Sequence, residues 1–227
     1  MPQFAEFGPA AAWLKRHPQV RCVDLLLADL MGIPRGKRVT AAELEGVHGS
    51  GLLLPGSMFA LDVLGGTVQS TGLGFDEGDA DRVCLPIAGT LVPVPWLGAD
   101  IAQMQVSMYE HDRTPFHGDP RHVLESVVAR FAALGLQPVM AVELEFYLVD
   151  RERTPAGHAQ PPRQPLTGRR EVKTQINSMQ ELDEYSAVLG AIAAAAREQE
   201  LPVGTVLAEY GPGQFEVNLD HVADPLL

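Results

Sequence analysis

From Val20 to Leu30 the chain is an almost unbroken apolar run that stops at Gly32 and Pro34, which predicts a strand closed by a turn. The basic cluster Arg35, Gly36, Lys37, Arg38 leads into Val39 and a second strand, and Thr40 caps a short helical pattern from Ala41. Between Leu52 and Trp96, short apolar runs alternate with Gly and Pro, the pattern of a small mixed sheet with long loops. Asp119 and Pro120 then supply a cap and a first helical residue. Val123, Val127, Val128, Phe131 and Leu134 recur at helical spacing, so a helix is expected over 120–133 with Gly135 as its stop. Residues 138–150 alternate as a strand, 151–170 read as an exposed loop rich in Pro, Gly and Arg, and 182–200 read as one amphipathic helix ending before Pro202. Two short strands flank Gly211, Pro212 and Gly213. This alternation of helix and strand points to an α/β or α+β arrangement rather than a bundle.

The same period of two sorts the acidic residues. Glu143 and Glu145 share one face of their strand, roughly 7 Å apart at the backbone, while Val142, Leu144, Phe146 and Leu148 point to the other. Gln214, Glu216 and Asn218 share a face of the last strand, and Glu209 precedes a turn able to return it towards Glu216. A pair of carboxylates on a strand can simply face water. Two such strands side by side would instead gather Glu143, Glu145, Glu209 and Glu216 on one surface, where their mutual repulsion calls for hard divalent cations, Mg²⁺ or Mn²⁺.

Composition narrows the partners. With 17 Lys and Arg against 29 Asp and Glu, the formal net charge of −12 disfavours binding along a phosphate backbone, so nucleic acid is not expected. No apolar run is long enough to span a membrane and the N-terminus lacks the pattern of a signal peptide, so a cytoplasmic protein is expected. Cys22 and Cys84 lie in separate strand-like segments and read as reduced core thiols. The seven histidines show no paired spacing, and Gly72, Gly74 and Gly78 lack the Lys-Ser or Lys-Thr of a phosphate loop.

Glu143-Leu144-Glu145-Phe146 resembles the Glu-x-Glu-Phe motif of the glutamine synthetase family, and Glu209 through Glu216 resembles its Glu-x-Gly-Pro-x-Gln-x-Glu motif. Asp24 to Lys37 and Arg82 to Trp96 are similar to the family's early strand with an Arg-Gly-Lys turn and to its Pro-Trp segment. The resemblance implies an α+β protein. A β-grasp-like N-terminal domain would occupy 1–113, and an incomplete glutamine-synthetase-type α/β catalytic domain 114–227, cut before its later His and Arg motifs. It further implies that Glu145, Glu209 and Glu216 hold the ion that orients substrate glutamate and that Glu143 helps hold a second ion at the ATP phosphates. Glu145, Glu209 and Gln214 become candidate substrate contacts, and His221 a candidate nucleotide contact.

The implied reaction is ATP-dependent ligation of glutamate to ammonia or an alkyl amine through γ-glutamyl phosphate, in a homo-oligomeric ring. The stretch from Pro55 to Gly66, where ammonia-using members carry Asp-Gly-Ser-Ser, looks more like the γ-glutamylpolyamine synthetase branch. This half alone is expected to be inactive. One rival reading is a catalytically dead fragment that binds metal or assembles with a full-length partner. Another is a hydrolase using Glu143 and Glu145 as acid and base, which fits poorly because neighbours on one strand do not flank a scissile bond from two sides.

Overall fold

The apolar run at Val20–Leu30 becomes strand β1 (Cys22–Ala28) of a computed structural model, which describes residues 4–74, 78–174 and 176–226. Two compact units are present, Met1–Gln137 with Leu226–Leu227, and Pro138–Pro225. The boundary expected at residues 113 and 114 falls between the last strand and the last helix of the first unit.

In that unit, α1 (Phe7–Arg16) precedes β1, and β2 (Pro34–Thr40) follows it. Then come α2 (Leu44–Ser50), β3 (Leu52–Pro55), β4 (Asp81–Pro86), β5 (Val92–Pro93), β6 (Ile101–Tyr109) and α3 (Pro120–Ala133). The strands form one mixed sheet in the order β2-β1-β6-β4-β3, with β5 also paired to β6. Only β1 and β6 run parallel. Alternation buries Val23, Leu25 and Leu27 of β1 against Ala102, Met104, Val106 and Met108 of β6 and against Leu44 and Val47 of α2. The predicted helix matches α3 end to end: the Asp119 carboxylate accepts from the Arg121 amide at 2.8 Å, and Gly135 sits at φ +69°.

Both cysteines are free thiols. Burial, helped by the Asp119 charge, pushes the Cys84 thiol up to about 12. Asp29 closes the turn between β1 and β2. It is 3% exposed, and its carboxylate accepts from the Met31 amide (2.8 Å), the Ile33 amide (2.9 Å) and the Arg35 guanidinium (2.9 Å). Burial alone would raise its pKa, but those bonds outweigh it and hold the carboxyl below the usual range. A depressed folded value means that the stabilisation is present above the unfolded carboxyl pKa and is lost as pH falls through the folded one. Asp29→Ala should therefore cost the first unit about 1–3 kcal/mol at pH 7 in urea titrations. The deficit should shrink below pH of about 4, where wild type loses the same contribution.

The second unit carries β7 (Glu143–Tyr147), α4 (Met179–Glu184), α5 (Ser186–Glu198), β8 (Val203–Ala208) and β9 (Gln214–Leu219). Its three strands are antiparallel in the order β7-β9-β8. Tyr185, Leu189, Ala208 and Phe215 form its core, with Phe146, Leu148, Leu182 and Val206 packed around them.

Three expectations change here. The strand predicted over 138–150 contracts to β7. On its apolar face Phe146 and Leu148 reach the core, whereas Val142 and Leu144 stay exposed because β7 is the sheet's edge. The single helix predicted over 182–200 becomes two. Tyr185 breaks it, leaving helical geometry and placing its ring edge-on against Phe215 with centroids 5.1 Å apart.

The helix also starts earlier than periodicity suggests, capped by the Ser178 hydroxyl, which accepts from the Glu181 amide. The loop over 151–170 is pinned in its second half. Buried Gln164 donates to Glu181, and Glu184 accepts from the Leu166 and Thr167 amides at 2.7 and 3.3 Å. No helix among the described residues is long and apolar enough to cross a membrane.

Candidate metal centre on the second sheet

Antiparallel pairing of β7 with β9 sets three side-chain pairs across one face: Tyr147 opposite Gln214, Glu145 opposite Glu216, and Glu143 opposite Asn218. The central pair is two like charges, an arrangement that destabilises a sheet unless something positive lies between them. Glu209 adds a third. It follows the end of β8, and the tight turn through Gly211 and Gly213 returns the chain into β9, with the Glu209 amide donating to the Gln214 carbonyl at 2.9 Å. Two glycines make that turn possible. Gly213 takes φ +76°, where a Cβ would also lie 2.8 Å from the Leu148 carbonyl oxygen, and a Cβ on Gly211 would lie 2.7 Å from the Tyr147 ring.

The result is a group in which Glu145, Glu209 and Glu216 each offer a carboxylate oxygen, all within 4.8 Å of one another. Glu145 is exposed, Glu209 half-buried and Glu216 8% exposed. Burial pushes the Glu216 carboxyl above the ordinary range, the Asn218 side chain opposes that by hydrogen bonding to it, and the charges of Glu143, Glu209 and Glu145 add to the rise. The Oδ1 atom of Asn218 is buried without a hydrogen-bond partner. Three convergent carboxylates with an idle amide oxygen beside them form an all-oxygen donor set, which suits Mg²⁺ or Mn²⁺.

The site residues proposed from sequence thus divide. Glu145, Glu209 and Glu216 come together; Glu143 shares their face one pair further along and acts on Glu216 through its charge, outside the tight group. Gln214 lies at the site with both amide atoms engaged: its Nε2 donates to Glu145 Oε2 at 2.7 Å, and its Oε1 accepts from the Tyr147 hydroxyl and the Gly211 amide, each at 2.8 Å. His221 is exposed in the segment after β9. Sequence reasoning missed Tyr147 and left Asn218 without a role. The register would have paired them with Gln214 and Glu143, but it follows only once the two strands are known to be partners.

A sequence model described as glutamine synthetase, catalytic domain, matches residues 117–226. The gamma-glutamylputrescine synthetase PuuA of Escherichia coli is 41% identical over 94% of this chain and 45% of its own length. A glutamate–isopropylamine ligase from a Pseudomonas species is 26% identical over 92% of this chain and 45% of its own. Among solved structures, a GmaS/ADP complex superposes with a TM-score of 0.73 at 21% identity, covering 94% of this chain and 44% of that one, which shows a shared fold. The chain spans about half the length of the curated relatives it matches.

Proposed function

Because this chain belongs to the glutamine synthetase family, we propose that it supplies the carboxylate-bearing part of an ATP-dependent ligase joining the γ-carboxylate of glutamate to an alkyl amine. The observation that carries this reading is the meeting of Glu145, Glu209 and Glu216 within 4.8 Å on one sheet face. In this reading those three would hold the ion nearest glutamate, and Glu143, one cross-strand pair away, would help hold a second ion at the ATP phosphates. A divalent cation bound there supplies neutralisation of the charge spread over the transferring phosphoryl oxygens.

The chain's own residues contribute placement. Glu145 is held by Gln214, Glu216 by Asn218, and Glu209 by the turn, so that the three carboxylates are fixed in position to hold a cation that would orient glutamate. In the first step the glutamate γ-carboxylate oxygen takes the γ-phosphoryl group and ADP leaves. In the second the amine nitrogen attacks the γ-carbonyl carbon, phosphate leaves, and the nitrogen gives up a proton. An alkyl amine is preferred to ammonia because the two relatives compared carry putrescine and isopropylamine in their names. The same reading takes the first part of the chain as a β-grasp-like domain, starts the catalytic domain near residue 114, and places the protein in a cytoplasmic ring of like subunits. His221 is assigned to the nucleotide side and Gln214 to the glutamate side.

Since the relatives are about twice as long, the 227-residue polypeptide is expected to bind metal without turning over. Calorimetric titration with Mn²⁺ should show binding at the carboxylate cluster, with no ADP released from ATP, glutamate and putrescine by the same sample. Absence of Mn²⁺ binding would sink the metal reading, and ADP release dependent on glutamate and amine would overturn the expected inactivity.

A further inference from the structure

Glu145 is an exposed carboxylate on the edge strand β7, yet it is not free to turn. Its Oε2 is fixed by Gln214 Nε2, and which end of the Gln214 amide faces Glu145 is decided elsewhere. The Gly211 amide can only donate, so it demands the carbonyl end of Gln214; the Tyr147 hydroxyl donates to the same Oε1 from the opposite strand. With Oε1 claimed twice, Nε2 must face Glu145. The close fit at Gly211 belongs to the same arrangement: a Cβ there would lie 2.7 Å from the Tyr147 ring, 2.8 Å from its hydroxyl and 2.9 Å from Gln214 Oε1.

Resting on the metal reading above, we propose that Tyr147 is a positioning residue for the cation site, acting on Glu145 through the Gln214 amide. The chain of contacts runs Tyr147 hydroxyl, Gln214 Oε1, Gln214 Nε2, Glu145 Oε2, and so fixes a carboxylate that offers one oxygen to the group it forms with Glu209 and Glu216. Without it, repulsion from Glu216 directly opposite would turn the Glu145 carboxylate outwards towards water. Tyr147 itself is 59% exposed and adds nothing to the core, so its hydroxyl can be removed without disturbing the fold.

The test is Mn²⁺ titration calorimetry on the 227-residue chain, with thermal melts recorded free of metal. Tyr147→Phe should weaken Mn²⁺ binding roughly three- to tenfold, and Gln214→Leu about tenfold or more, the scale on which outer-shell partners act. Metal-free melting of Tyr147→Phe should match wild type. In a Glu145→Ala background, Tyr147→Phe should add no further loss, because the contact through which it acts is gone; a merely structural tyrosine would weaken both backgrounds equally. Wild-type Mn²⁺ affinity in Tyr147→Phe, or an equal loss in the Glu145→Ala background, would overturn the positioning role while leaving the metal site standing. A wild-type chain that binds no Mn²⁺ would remove the site and the positioning role together.

Discussion

Truncating Phe215 to alanine should cost the second unit about 3–5 kcal/mol, the usual toll of deleting a fully buried aromatic ring. Phe215 is completely buried, and its ring lies 5.1 Å from that of Tyr185 and 6.1 Å from that of Phe146. It therefore joins three elements: the break between α4 and α5, strand β9 and edge strand β7. A small domain has only about 5–15 kcal/mol of net stability, so this one residue accounts for a large share of what keeps the sheet closed. Hydrogen exchange should show protection lost in β7, β8 and β9 while the first unit's sheet keeps its own, since the two cores share no residue. Phe215→Leu, which keeps most of the volume, should cost less than half as much. Retention of wild-type exchange in β9 of the alanine variant would show that the helices alone hold the strands.

The position of Phe215 also explains why the site is coupled to the core. It stands between Gln214 and Glu216, pointing away from them, so its burial fixes which way the two functional side chains face. A slip of one residue would exchange the faces, burying Glu216 among aromatic rings. The apolar alternation that stabilises the strand is the device that aims its carboxylate.

Much of this is legible in the sequence. Period-two alternation over Gln214–Leu219 and Glu143–Tyr147 put the carboxylates on one face because it is a local property of strands. The cap at Asp119 and Pro120 located α3 for the same reason. Three things were hidden, and each depends on a partner distant in sequence. The helix breaks at Tyr185 because a buried ring packs on Phe215, and nothing in the run from Leu182 to Glu200 signals that. The loop near Gln164 is anchored by Glu181 and Glu184, two acids that a periodic reading would leave in solvent. Tyr147 reads as an ordinary strand aromatic until the register places it opposite Gln214.

Replacing both Glu145 and Glu216 with alanine should reduce Mn²⁺ affinity by more than about 100-fold, beyond the range in which outer-shell changes act. The two residues face each other across β7 and β9, so together they supply two of the three clustered carboxylates and leave Glu209 as the one carboxylate of the group. The same site should be costly to the metal-free protein. Glu216 is held above its ordinary pKa first by burial and then by the surrounding acids, so its ionised form is disfavoured in the fold. A raised folded value means that its contribution to stability is fully present below the unfolded glutamate pKa of about 4.3 and is lost as pH rises through the folded one. Glu216→Gln removes that titration. It should therefore melt higher than wild type without metal at pH 7, by a margin that narrows towards pH 4, and yet show no upward shift on adding Mn²⁺ where wild type shows a large one. Opposite signs in one variant, gain of metal-free stability with loss of metal response, separate a binding site from a solvated acidic face, for which the substitution would leave both quantities unmoved.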